Sequence, residues 1–191
     1  MSCITEILKI KGSRPILKTE GHVIECGGIY KNYEWLVTMT SMAHRCGYVA
    51  IPSDHPLAGQ DLMSEVTAEA YEHFHYPHGG VTFQKPGTHL VKAIVGDFVC
   101  DDIWIGFDAA HAGDKKDYDT ALFYWKDDDK VTKTLKSIKE IEDSVENSTP
   151  LSMSNPWRET VKTREYMIGH CISMIDTIAD GDVRSGYEKK I

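Results

Sequence analysis

Two short segments gather the residues best able to do chemistry: His78-Gly79-Gly80-Val81-Thr82-Phe83 and Trp104-Ile105-Gly106-Phe107-Asp108-Ala109-Ala110-His111-Ala112-Gly113-Asp114. In the first, paired glycines let backbone approach a ligand closely and adopt angles closed to other residues. Val81-Thr82-Phe83 then reads as a strand entering the core, with His78 at its mouth and Thr82 further in. The plainer alternative is a hairpin turn with His78 exposed. In the second segment Asp108, His111 and Asp114 follow one another at intervals of three, just past the apolar run from Ile103 to Phe107. A strand that ends in a glycine loop holds side chains on a rigid sheet while leaving them accessible.

Two chemistries fit these residues. His78, Asp108, His111 and Asp114 are donor types that hold a divalent ion and let it activate water. Alternatively, Asp108 and His111 exchange hydrogen bonds with a base or ribose, Tyr48, Trp104 or Phe107 stacks on the ring, and Arg45 meets phosphate. Spacing does not choose between them. The run His73-Phe74-His75-Tyr76-Pro77-His78 is the densest imidazole cluster, and it reads equally as a polar loop. A nucleophile elbow, a Walker loop and a dinucleotide Gly-x-Gly-x-x-Gly are all missing. Cys46 has no base assigned to it and reads as core.

The elements that must position these groups follow from apolar periodicity and punctuation. Val23, Ile24 and the Gly27-Gly28-Ile29 stretch, like Ile7, Leu8 and Ile10 before them, read as short strands joined by glycine turns at a sheet edge. Trp35, Leu36, Met39 and Met42 recur at three and four, which predicts a short helix between Tyr33 and Ala43. Cys46 to Ile51 is β-rich and stopped by Pro52, and Ser53 to Asp61 is an exposed loop. Val91 to Val95 and Asp101 to Phe107 are strand candidates, Glu65 to His75 is ambiguous, and His111 to Thr120 is expected as loop. Val131, Leu135, Ile138, Ile141 and Val145 mark a helix whose start is Asp127-Asp128-Asp129, a solvated helix terminus rather than a calcium site. A last long helix is predicted with Asn155 as cap, Pro156 in its first position, and a stripe of Val161, Ile168, Ile172, Ile175 and Ala179 before Asp180-Gly181. His170 and Cys171 beside that stripe read as core or boundary.

The composition narrows the classes. With 191 residues the chain fits a single domain, 1–191, with 115–155 as a peripheral insertion or connection; that length buries roughly two-thirds of its unfolded surface without staples. A formal charge of -8 opposes binding to DNA or RNA polymers, but does not exclude a small anion held by local cations and backbone N–H groups. No segment is long and apolar enough for a membrane span, and Met1 to Glu6 lacks a secretory pattern. Five widely spaced cysteines without Cys-x-x-Cys point to reduced, mostly buried thiols.

His44-Arg45-Cys46-Gly47-Tyr48-Val49 with Pro52 and His55-Pro56, the His78 segment and the Trp104 segment, taken in this order, resemble a family of small proteins common in phages and prophages. The resemblance spans roughly Tyr33 to Asp114 and the final helix. Ala109 stands where that pattern has cysteine, and Glu65 to Pro77 and Lys115 to Asn147 depart from it, which affects the outer wall of a pocket more than its floor. The resemblance implies a phage protein in the cytoplasm of an infected bacterium and, by analogy of gene context, a counter-defence role.

The resulting expectation is a compact α+β domain: a mixed or antiparallel sheet packed by two or three helices, including a long C-terminal one. Its function is sequestration of a small anionic, nucleotide-derived ligand by Arg45, Tyr48, His78, Thr82, Trp104, Phe107, Asp108, His111 and Asp114. No cofactor is required for that reading, and a homo-oligomer is compatible with it. The alternative is a metal-dependent hydrolase or phosphodiesterase with His78, Asp108, His111 and Asp114 as ligands. A third reading is an inhibitor of a host enzyme that presents its acidic stretch from Asp117 to Asp129.

Overall fold

The computed structural model describes residues 4, 17–19, 21–63, 77–87, 100–148 and 160–185. β-branched and aromatic runs separated by turns fold the first half into a meander of β1 (Leu17–Thr19), β2 (His22–Tyr30), β3 (Tyr33–Thr40) and β4 (Arg45–Ile51). Lys31 and Asn32, both at positive φ, make the two-residue turn between β2 and β3, closed by the Tyr30–Tyr33 pair; mirror-image turns of this kind match strand twist. β5 (Phe83–Pro86) and β6 (Ile103–Asp108) complete a six-stranded sheet in the order β1-β2-β3-β4-β6-β5, antiparallel throughout.

One face of the sheet carries Val37, Val49, Ile51, Ile105 and Phe107, and packs against Met167, Cys171, Met174, Ile175 and Ile178 of the C-terminal helix α3 (Arg164–Ser185). The other face carries Ile24, Leu36, Cys46, Tyr48, Ala50 and Trp104 with Ile4 and Cys100. At the end of β2 and β3, Val23, Met39 and Ala43 pack against Tyr118, Ala121, Trp125 and Leu135 from α1 (Tyr118–Tyr124), its C-cap and α2 (Asp129–Ser148). The segment 115–148 thus lays two helices on one end of the sheet. The fold is α+β, an antiparallel sheet covered by helices, as expected.

Several expected elements differ. Tyr33 to Thr40 is β3, not a helix: it is hydrogen-bonded on both sides, and seven of its eight residues are buried. A strand buried on both faces loses the alternation that would have marked it, and its apolar residues then mimic a helical period. The segment from Val23 is second from the edge, beneath β1. His111 to Thr120 is not all loop, since Asp114–Lys115 forms β7 in a parallel pair with β8 (Thr160–Val161), and α1 begins at Tyr118.

The last helix starts at Arg164, so Val161 belongs to β8, and it continues past Gly181. Its buried stripe is Met167, Cys171, Met174, Ile175 and Ile178; of the expected stripe Ile175 is fully buried, while Ile168 and Ala179 pack at its margin. Asn155 and Pro156, the strand expected at Val91 to Val95, the opening apolar residues Ile7 to Ile10 and the ambiguous Glu65 to His75 lie outside the described residues. Asp128 accepts from the Val131 N–H at 3.0 Å, which bears out the helix-start reading of the aspartate run. Cys26, Cys46 and Cys171 are free thiols, whereas Cys100 is disulfide-bonded, contrary to the expectation of reduced thiols throughout. Among the described residues, no helix is long and apolar enough to cross a membrane.

The charge that pins these pieces together is Arg45, 6% exposed at the start of β4. A bulge between Ile24 and Cys26 turns Glu25 toward it. Glu25 accepts from Nε at 2.7 Å and Nη2 at 3.2 Å, while Nη1 donates to Asp117 at 2.8 Å and to the Lys162 carbonyl at 3.0 Å. Burial alone would lower the guanidinium's pKa; Glu25 and then Asp117 outweigh that and raise it. Removing one partner leaves the other charge buried without compensation. Arg45→Ala is expected to cost about 3–5 kcal/mol, measured as the loss in urea-unfolding free energy, and Arg45→Lys should recover only part of it because a compact ammonium with three donors cannot reproduce the planar fork that reaches four acceptor atoms.

Candidate functional site

The two sequence motifs meet beyond the end of β6, where two glycine turns face each other. Gly80 N–H closes one turn onto the Pro77 carbonyl at 2.9 Å, with Gly79 at φ 70°. Asp114 N–H closes the other onto the His111 carbonyl at 3.0 Å, with Gly113 at φ 95°. Both glycines take a left-handed conformation that a side chain would strain. A Cβ on Gly79 would also run into the His111 ring, so this glycine is needed for close approach as well as for its angles. The expected strand begins later than Val81: β5 starts at Phe83 on the sheet's edge, and Thr82, expected further in, is exposed, although its N–H donates to Gly106 O at 2.8 Å.

Asp114 is the centre of the cluster, its side chain 3% exposed. Its Oδ2 accepts from His78 Nε2 at 2.7 Å and from the His111 backbone N–H at 3.0 Å, and lies 3.6 Å from His111 Nδ1. Its Oδ1 faces the Lys162 ammonium at 3.5 Å. Burial pushes this carboxyl's pKa up, but the hydrogen bonds from His78 and His111 and the charges of His78 and Lys162 outweigh it, and the pKa is lowered. His78 Nδ1 in turn meets the Tyr166 hydroxyl at 3.1 Å.

Asp108 stands at the cluster's side. Thr82 Oγ1 donates to its Oδ2 at 2.7 Å, and its Oδ1 accepts from Ala110 N–H at 3.1 Å while lying 4.0 Å from His111 Nδ1. That nitrogen of His111 is buried between two carboxylates and makes no hydrogen bond among the described residues. One donor atom each from His78, His111 and Asp114 lies within 4.8 Å of the others, an arrangement able to hold a metal ion. Two imidazoles and a carboxylate are the donor set of open zinc and non-haem iron centres.

The structure therefore brings together five of the residues singled out by sequence: His78, Thr82, Asp108, His111 and Asp114. Phe107, 1% exposed, lies beneath them in the core with its ring 5.7 Å from that of His170. Tyr48 and Trp104 do not join them; both are buried on the opposite face of the sheet. Nor does the Arg45 side chain offer a phosphate contact, because a guanidinium in the interior needs acceptors, and Glu25, Asp117 and a carbonyl take its donors.

Sequence reasoning missed Lys162 and Tyr166. Tyr166 and His170, four apart on α3, turn one face toward His78, with ring centroids 5.6 and 6.2 Å from it; the i, i+4 spacing of two polar aromatics was a usable signal. Lys162 had none, since it reaches Asp114 only through the pairing of β7 with β8.

Two outcomes follow from this geometry. Gly79→Ala should leave the sheet folded, cost about 1–3 kcal/mol for the left-handed angle, and displace His111, visible as a shift of its ring resonances by NMR; unchanged resonances would show that the close approach is not needed. The lowered pKa of Asp114 places its folded value below its unfolded one. Its contribution to stability is then complete above the unfolded value, about 3.9, and is lost as pH falls through the folded value. Asp114→Asn should flatten this acid limb in a series of urea midpoints taken at decreasing pH.

No family model matches this chain, and no curated protein or solved structure matches it either.

Proposed function

We propose that this chain is a metal-dependent hydrolase whose ion is held by His78, His111 and Asp114, with Asp108 beside them. The observation that carries the reading is the buried, unpartnered Nδ1 of His111, which lies 3.6 Å from Asp114 Oδ2 and 4.0 Å from Asp108 Oδ1. A buried ring nitrogen without a partner is costly, and a cation between it and the two carboxylates would remove that cost. Three protein donors also favour an open centre over a closed structural one, which takes four. Such an ion would supply a lowered pKa for bound water. The chain's own residues would orient it: Tyr166 holds His78 through Nδ1, and Thr82 and Ala110 hold Asp108.

Sequestration of a nucleotide on stacked aromatics is the weaker reading, because Tyr48, Trp104 and Phe107 are all buried and present no open ring face. The resemblance to phage proteins supports a counter-defence setting for the hydrolysis, with a small molecule of the host as substrate.

The purified chain, dialysed against Zn²⁺ or Mn²⁺, is expected to retain about one ion and to hydrolyse bis(p-nitrophenyl) phosphate in a chelator-sensitive way. His111→Ala and Asp114→Asn should each remove the ion and the turnover while far-UV circular dichroism is unchanged. Folded wild-type protein that retains no ion by elemental analysis would overturn the reading.

A further inference from the structure

We propose that Lys162 receives an oxyanion of the substrate, so that the substrate class is phosphoryl esters rather than neutral amides or esters. This rests on the metal reading above and names the substrate of the same site. The Lys162 ammonium sits 3.5 Å from Asp114 Oδ1 and is only 17% exposed. It does not reach that place on a loose stem. Its Nζ donates to Thr160 Oγ1 at 2.7 Å, it lies 5.5 Å from the centre of the Tyr166 ring, and its backbone carbonyl is tied to buried Arg45 at 3.0 Å. The β7–β8 pairing sets Asp114 opposite Thr160, which fixes the register between carboxylate and lysine.

In the metal-free protein this ammonium is the counter-charge of Asp114. Once Asp114, His78 and His111 share a dication, two cationic centres stand side by side and repel. Two outcomes relieve that repulsion: the lysine swings away, or an anion settles between lysine and ion. The clamp on the Lys162 backbone and the hydrogen bond to Thr160 oppose the first and leave the second. A tetrahedral oxyanion suits the second, because one of its oxygens can face the ion while another accepts from the ammonium. A neutral carbonyl carries no charge to offset the repulsion between the two cationic centres.

The test uses inorganic phosphate as probe, with its affinity for the full chain measured by calorimetry with and without Zn²⁺, for the wild type, Lys162→Met and Lys162→Arg. The expected result is phosphate binding to the zinc-loaded wild type, weakened at least tenfold in Lys162→Met and largely kept in Lys162→Arg. Zinc affinity in Lys162→Met should be equal to the wild type or higher, since a like charge has gone. Zinc binding with phosphate affinity unchanged in Lys162→Met overturns the role of Lys162 and leaves the metal reading standing. Phosphate binding that depends on Lys162 in a protein that takes up no zinc supports the anion subsite and overturns the metal reading. Absence of phosphate binding to the zinc-loaded wild type overturns the proposal.

Discussion

A guanidinium withdrawn from water must be surrounded by acceptors, and in this chain the acceptors come from three distant stretches of sequence. Glu25 is presented by a bulge in β2, Asp117 caps α1 by accepting from Thr120 N–H at 3.1 Å, and the carbonyl of Lys162 lies at the approach to α3. Arg45 is therefore the point at which sheet, α1 and C-terminal helix are held in register. A buried ion pair is weak evidence for net stability, since apolar residues of similar volume often serve as well. What apolar residues do not supply is direction: planar donors accept only partners in particular places. The position of Lys162, and through it the electrostatics around Asp114, depends on that direction.

Asp114 is the second convergence. One buried carboxylate takes a hydrogen bond from the His78 imidazole, another from the His111 backbone, and faces the Lys162 ammonium. The first contact holds the two glycine turns against each other, the second tightens the turn that ends at Asp114 itself, and the third joins β7 to the segment before α3. The same contacts that keep this carboxylate ionised gather two imidazoles around it, so stability and site chemistry have a common origin. Thr82 and Asp108 extend the arrangement to β5 and β6, which makes the end of the central sheet the rigid support for the whole group.

Much of this was legible in the amino-acid sequence, for local reasons. Histidine and aspartate at intervals of three beside glycines indicated a turn that clusters side chains, and His78, Asp108, His111 and Asp114 do cluster. β4, β6 and α2 followed from apolar runs with clear stops. What was not legible is what depends on partners remote in sequence. β3 reads as a helix because burial on both faces erased its alternation. Arg45 reads as a phosphate ligand because a basic residue beside a motif looks available until Glu25 and Asp117 are seen to take its donors. Tyr48 and Trp104 read as stacking residues because an aromatic beside a motif looks available until packing is seen to bury it: both lie in the apolar core of one sheet face, with no open ring for a ligand. Lys162 carried no signal at all, since a two-residue parallel pair leaves no periodicity.

The choice between an ion and simple acid–base work at this site turns on the ring nitrogens. A general base needs a free lone pair directed at substrate. His78 has both nitrogens engaged, Nε2 by Asp114 and Nδ1 by the Tyr166 hydroxyl, so as arranged it has none to offer. His111 has Nδ1 without a hydrogen bond, but this nitrogen is buried and faces two carboxylates rather than open space. On the reading proposed above, a metal ion would make use of both rings. Held by His78, His111 and Asp114, it would use the His111 nitrogen that makes no hydrogen bond among the described residues, and the Tyr166 hydroxyl would orient His78 through Nδ1. The proposed cation would thus draw on the same ring nitrogens that a general base would need, and the two roles compete for one set of donors.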